Sequence, residues 1–517
     1  MATQPAQPSD LLSQHPRPTR KWLRIGLIVV AVIVAAAAVL LAIKWPFTRE
    51  RVAKRLQQAT ATTVHIASFK AQYFPHPGCV AGGVTFRARP NSPPIMQIQK
   101  LIIRGSYLGL FTKHVSMVRA EGAHIALPPL GAGESLCGNN QGGTVIDALV
   151  ADGAILDVLP RVSSGRPTHF VLGKFRLHGL GGNHALSFQT MVENPEPPGE
   201  LQASGSFGPW KTGSAATTSI SGRYSFRHAN LSVFRGISGT LSSDGAFRGT
   251  FRQLEVQGTT DTPNFEAANS GHTFHLSGQF RALVNATNGN VDLQQAVALL
   301  GHTTIAAHGT IANQPSQKGK TTALDFSVRD GRIEDVLLLF VKDRRAPLMG
   351  ITSFGAHITI PPGQQAFVRK VQLQGEFGIG GARFTKPHTE KSLSELSQRS
   401  QGKTDHDEEN PERVLSDLRG QVTLQDGLAR FAHLRFTVPG AQAQMQGTYN
   451  LVNERIDLHG LLHMDAKLSQ ATKGFKSFLL KALGPFLKSN HRGEVLPVSI
   501  TGTYDHPSYH ISPKSKK

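Results

Sequence analysis

Five short dipeptides constrain this chain most. Asp152-Gly153, Asp244-Gly245, Asp330-Gly331, Asp426-Gly427 and Asn288-Gly289 each sit between runs in which apolar and polar residues alternate. Asn-Gly and Asp-Gly suit the two positive-φ positions of a type I′ turn, whose twist matches that of the flanking strands. One such pair says little. Five, spread through a chain of 517 residues, predict a long antiparallel meander and a mainly β fold. The segments His65–Lys70, Gly83–Ala88, Ile95–Gly105 and Val115–Leu127 read as its first strands.

A second pattern concerns repetition. Gly-Thr opens or closes segments at Gly239-Thr240, Gly249-Thr250, Gly258-Thr259, Gly309-Thr310, Gly447-Thr448 and Gly502-Thr503. Residues 278–311 and 420–449 share one layout: Gly, strand, turn, strand, small-residue turn, strand, Gly-Thr. Such dipeptides also occur in any β protein. A repeat of about 30 residues, however, points to a solenoid-like sheet whose units pack only on their neighbours. About 20 strands at roughly 4.8 Å each would curl into a groove near 100 Å long. Period-2 geometry puts Phe280, Ala282 and Val284 on one face. Phe431 falls opposite Leu434 and Phe436 unless a bulge intervenes. The faces carrying Phe280, Val284 and Phe436 are taken as concave and lipid-facing.

Ile25–Ile43 is an uncharged apolar run flanked by Trp22 and Trp45. At 1.5 Å per residue it spans about 28 Å, one hydrocarbon core, and no cleavage-site pattern follows it. It reads as an uncleaved single-pass transmembrane helix. Basic residues are nearly balanced across it, so the long domain behind it argues for a cytoplasmic N-terminus and an extracytoplasmic remainder. The expected organisation is a polar arm (1–20), the anchor (21–45), a short helix and β-groove domain (46–385), a flexible charged loop (386–412) and a C-terminal β region (413–517). Thr48 caps the short helix Arg49–Thr60. The loop contains the acidic cluster 405–409, whose spacing lacks the pattern of a calcium loop. Within the last region, 466–490 predicts an amphipathic helix. Phe475, Phe478, Leu479, Leu483 and Phe486 share its apolar stripe, between Lys473, Lys476, Lys481 and Lys488. That stripe suits either an anionic membrane surface or the open end of the sheet.

The net charge of +20 favours anionic partners. Nucleic acid is not expected, because stacking aromatics beside basic stripes are sparse. No catalytic signature survives inspection. Lys318-Gly319-Lys320-Thr321 has Gln314 where a phosphate loop needs its first glycine. His459 and His463 lie on a strand-like segment, where four residues separate side chains by about 13 Å, too far for one metal. No enzyme activity, metal or cofactor is expected. Cys79 and Cys137 each sit beside glycine, and would form a disulfide in an oxidising space or remain two separate thiols.

The anchor, the basic helix and the strand beginning Val64-His65-Ile66 precede a C-terminal pattern of Pro497, a strand, Gly502-Thr503, a turn and Pro507. Together these resemble the AsmA-like family of bacterial envelope proteins. The resemblance covers the whole architecture through degenerate motifs, and the basicity and acidic loop depart from it. It implies an inner-membrane protein with a large periplasmic domain and an apolar β groove. It further implies a role in phospholipid transport and outer-membrane biogenesis. The implied partners are membrane phospholipids, the inner membrane and outer-membrane or assembly proteins. The rival expectation is a non-enzymatic periplasmic scaffold or regulator of outer-membrane protein assembly that transfers no lipid.

Overall fold

The computed structural model describes residues 45–511 except 128–143, 159–167, 182–183, 210–216, 235, 268–269, 315–318, 340, 342–343, 364, 386–415, 465–494 and 504–505. The expected transmembrane helix at Ile25–Ile43, the charged loop and the amphipathic helix with Phe475, Phe478, Leu479, Leu483 and Phe486 lie outside the described residues. Among the described residues no helix is long and apolar enough to cross a membrane.

The chain opens with α1 (Arg49–Thr60), β1 (Thr63–Gln72), β2 (Gly78–Arg87), β3 (Pro94–Arg104), α2 (Tyr107–Thr112) and β4 (His114–Leu127). It continues through β5 (Val145–Val158), β6 (Thr168–Leu180), β7 (Leu186–Pro195), β8 (Pro198–Phe207), β9 (Ser219–Asn230), the two-residue β10 (Ile237–Ser238), β11 (Thr240–Thr250) and β12 (Gln253–Ala267). Next come β13 (Phe274–Asn285), β14 (Asn290–Leu300), β15 (Thr303–Asn313), β16 (Lys320–Arg332), α3 (Ile333–Leu337), β17 (Leu348–Ile360), α4 (Phe367–Lys370) and β18 (Gln372–Phe384). The last strands are β19 (Ser416–Gln425), β20 (Leu428–Val438), β21 (Ala441–Asn450), β22 (Arg455–Met464), β23 (Val495–Thr503) and β24 (Pro507–Ile511).

The strands form one long, open, curled sheet, antiparallel at all but one joint. Each pairs with the next in sequence, save that β9 passes to β11 and β10 pairs only with β12. The exception is β4 with β5, which are parallel, so the intervening chain must cross the full strand length. The sheet runs on from β18 into β19 across the expected 386–412 loop. At about 4.8 Å per strand it extends roughly 110 Å.

Two of the five dipeptides lie at hairpin turns, and of these only Asp426-Gly427 has both residues at positive φ. Asp426 and Gly427 take φ of 52° and 78° between β19 and β20, and Asn288-Gly289 closes β13 onto β14. The other three correct the reading, because they lie inside strands. Asp152-Gly153 and Asp330-Gly331 use a positive φ (63° at Gly153, 52° at Asp330), the first inside β5 and the second at a register shift between β16 and β17. Asp244-Gly245 sits in regular ladder within β11. The same left-handed backbone serves a bulge as well as a turn, so the dipeptide marks a conformation and not a reversal.

Bulges hold the pleat in phase. Phe431 pairs with Gly447 and Leu434 with Met445, so two residues, Ala432 and His433, oppose Gln446 alone. His433 takes φ of 51°. Phe431, Leu434 and Phe436 therefore share one face. The matching strand of the other repeat, β14, shifts register between Leu293 and Ala296. Gly309 and Gly447 close the two units at φ of 142° and 149°. The two stretches are thus equivalent in structure as well as in sequence.

Packing is densest at the start of the sheet. Thr48 caps α1, its side chain accepting from the Arg51 amide. The helix lays Val52 on the inner face beside Trp45, Phe47, Val64, Ile66, Val84 and Phe86, all buried. Farther along, burial falls to small separate clusters around Phe188, Ile379 and Ala443. One contact joins opposite rims of the strip. The ring of Phe367, on the β17–β18 connection, lies against the backbone of Gly236, on the β9–β11 connection, leaving no room for a Cβ there.

Candidate functional site

The register makes the inner face continuous. Across six strands, Leu254, Val284, Val291, Ile311, Thr322 and Ile360 stand opposite one another in turn. Two rows farther along the same face stand Gly258, Phe280, Ala296, Ala307, Phe326 and Ala356. Near the C-terminal end the row is Ile379, Leu418, Phe436, Ala443, Leu462 and Leu496. Phe280, Val284 and Phe436 therefore belong to one face, and each is half-buried. Their neighbours Arg281 and Arg435 point the other way and are exposed.

This face is concave in its middle. Phe188 on β7 and Phe247 on β11 have ring centroids 6.5 Å apart, although two strands separate them. In a flat sheet those strands would lie about 14 Å apart. Phe377 and Phe431 likewise meet edge-to-face at 6.4 Å across β19. Glycines permit the curl. A Cβ on Gly205, Gly222, Gly447 or Gly460 would stand 2.0–2.3 Å from the neighbouring strand's carbonyl oxygen. Aromatic rings lean over such gaps: Tyr224 covers Gly245 and Gly258, and its hydroxyl shares a hydrogen bond of 3.0 Å with the Ser243 Oγ. Burial raises the Tyr224 pKa, which that hydrogen bond partly offsets. The inner face is thus mainly apolar. Tyr224 and Ser243 satisfy each other there, while the buried Thr190 and Ser416 hydroxyls have no partner among the described residues.

The outer face carries the charge. Arg227 grips Asp244 with two contacts of 2.8 Å, and Arg248 holds Glu255 at 2.8 Å. Histidines flank carboxylates on adjacent strands. Asp157 on β5 lies 2.6 Å from His124 on β4 and 2.5 Å from His169 on β6. Asp325 on β16 stands between His308 and His357. Desolvation pushes the Asp157 carboxyl up, but the hydrogen bonds and charge of the two histidines outweigh it, and its pKa falls below the ordinary value. A shallow hollow of about 500 Å³ also opens on this face, lined by Arg223, Asp244, Gln257, Gln279, Arg281 and Gln295. Its lining is mixed, with Ala246 and Val297 among the polar side chains, and it is open to solvent. Among the described residues no group of three or more histidine, cysteine or acidic side chains could hold a metal.

Cys79 is a free thiol, buried in the N-terminal core. Burial pushes its pKa up to about 12. Its expected disulfide partner, Cys137, lies outside the described residues. The C-terminal motif forms the final hairpin: Pro497 lies on β23, and Gly502 stands opposite Pro507, the first residue of β24. The Thr503 backbone closes that turn with His506.

Sequence reasoning missed that Gly83 and Gly122 take φ near 60° inside paired strands without a register shift, and it read the similar Gly153 as a turn. Their signal was present as a phase flip: Ala120 and Ala123 are both buried although odd spacing should separate them. Nothing in the sequence pattern marked the rim contact between Phe367 and Gly236. Compared with protein-family models, with curated proteins and with solved structures, the chain matches none of them.

Proposed function

We propose that this protein binds lipid acyl chains along its inner face and carries them passively, as a membrane-anchored periplasmic component supporting phospholipid transport and outer-membrane biogenesis. One observation supports the reading above all: beyond the buried β1–β5 core, an apolar face continues strand after strand towards β24 and is largely half-buried, with no second layer over most of it among the described residues. Apolar surface left in water is unfavourable by about 25 cal/mol per Å², so such a face calls for an occupant. A linear groove with charged outer walls suits acyl chains inside and head groups at the rims. No covalent step is part of this function. The reading agrees with what the AsmA-like resemblance implies.

The test is site-specific photo-crosslinking in living cells. A crosslinking residue at Phe280 or Phe436 captures lipid, while one at Arg281 or Arg435 does not. Mass spectrometry of the adducts identifies the lipid. A Phe436→Asp protein that remains folded by circular dichroism loses transfer, because a charge in the lipid path is costly to desolvate. Equal labelling of both faces, or full function of folded Phe436→Asp, removes the groove and leaves the scaffold reading.

A further inference from the structure

The most exposed large apolar side chains lie together on one rim, at the β1 end. Phe74 and Leu108 are each 82% exposed, and Tyr73 and Tyr107 beside them are also exposed. Phe74 sits on the β1–β2 turn, and Tyr107 and Leu108 open α2, on the β3–β4 connection. These two connections are fastened together. The Tyr107 hydroxyl donates to the Tyr73 carbonyl at 2.6 Å, and the Gly105 amide donates to the Pro77 carbonyl at 2.7 Å. The Ser106 hydroxyl caps α2 by accepting from the Gly109 amide at 3.0 Å. Trp45 packs against Tyr73 with ring centroids 4.7 Å apart and tilted by 35°, and Phe47 packs under Gly105. The patch is therefore a fixed surface and not a fraying loop.

Two further facts indicate what covers it. The uncharged run Ile25–Ile43 ends two residues before Trp45, so a membrane anchor would deliver the bilayer to this rim. The buried Trp45 indole N–H has no acceptor among the described residues. Around the patch, Lys70, Arg104 and Lys113 are exposed, against the acids Glu50 and Asp147. Tyrosine and tryptophan with a basic fringe are the side chains that settle at the headgroup level of a membrane.

We infer that Tyr73, Phe74, Tyr107 and Leu108 form a bilayer-docking surface that seats the β1 end of the sheet against the membrane. The surface holds this end at a fixed tilt, so the inner face starts at the headgroup region instead of swinging on the anchor. The inference does not depend on what the groove carries.

The experiment uses the full chain reconstituted in vesicles of phosphatidylethanolamine and phosphatidylglycerol doped with brominated phosphatidylcholine. Tryptophan is introduced by Phe74→Trp, Leu108→Trp or, as a control, Val452→Trp. Val452 is an exposed apolar residue on the β21–β22 turn, far along the sheet. Emission is read as the difference from the unsubstituted protein. The introduced tryptophan at 74 and at 108 loses most of its emission to the bromolipid and shifts to the blue, while that at 452 is unchanged. Equal quenching at all three positions would mean general adhesion, and absence of quenching at 74 and 108 would mean that residues 1–44 or solvent cover the patch. Either result overturns the inference. Crosslinking at Phe280 reads the groove separately, so the two readings fail independently.

Discussion

The two ends of the sheet solve the same problem differently. At the β1 end, α1 packs Val52 into one continuous core of sixteen buried residues that reaches β5. From β7 onward the same face carries the same kinds of side chain but has only clusters of three or four fully buried residues. The difference lies in the cover and not in the composition. Where a helix roofs the strip, the apolar face becomes an ordinary core. Where no described element does, curvature and leaning rings shelter it halfway. The N-terminal end is therefore built for stability, and the remainder holds apolar surface in reserve.

The largest expected effect tests that contrast directly. Phe86 is 2% exposed in the roofed core, and Phe86→Ala should cost about 3–5 kcal/mol. Phe280→Ala, in the half-open region, should cost about 1 kcal/mol. Hydrogen exchange of peptides from β1–β4 and β12–β14 under rising urea reads both. Equal costs would erase the distinction between the two ends.

Curvature comes next. Gly447 has φ of 149°, and a Cβ there would lie 2.0 Å from the Asp457 carbonyl oxygen. Gly447→Ala should cost about 2 kcal/mol and release the β21–β22 pairing. Gly355, with open space where its Cβ would stand, should accept alanine within about 0.5 kcal/mol. Local amide exchange separates the two.

The outer face should respond more weakly and with pH. The Asp157 pKa is depressed in the folded protein, so its contribution is present above the unfolded carboxyl value, about 3.9, and is lost as pH falls through the folded value. Asp157→Asn should cost about 1 kcal/mol near neutrality, and the gap to the parent should close in acid. Urea midpoints measured between neutral and strongly acidic pH check the sign.

The smallest effect is chemical. With its pKa raised to about 12 and its side chain buried, Cys79 should resist alkylation at mildly alkaline pH until the roofed core opens. Peptide mapping distinguishes it from Cys137. Rapid native labelling at Cys79 would mean that the β1–β5 end is as open as the rest.

Most of the fold was legible because alternation is strong and local. The first four strands, α1 and its Thr48 cap follow from side-chain period and capping chemistry alone. Asp152-Gly153 and Asp330-Gly331 misled because a kink inside a paired strand, or a bulge, demands the same left-handed backbone as a hairpin. The parallel joint of β4 and β5 was hidden, since pairing direction depends on where the intervening chain travels and not on either strand's sequence. For the inner face, the period placed Phe280, Ala282 and Val284 together. Phe431 could be placed only once the bulge at His433 was seen.

The two equivalent stretches, 278–311 and 420–449, have a consequence for how such a chain can change. Each contributes three strands, joined by two ladders whose pairing partners are immediate neighbours. Inserting a pair of such units, an even number of strands, would lengthen the strip by about 29 Å and keep the direction of every following strand. Span is therefore a quantity that duplication can adjust in fixed steps, as links are added to a chain. The rim contact of Phe367 with Gly236 sets the exception: an insertion between β11 and β17 would move one of its partners out of reach, so growth is freest beyond β18.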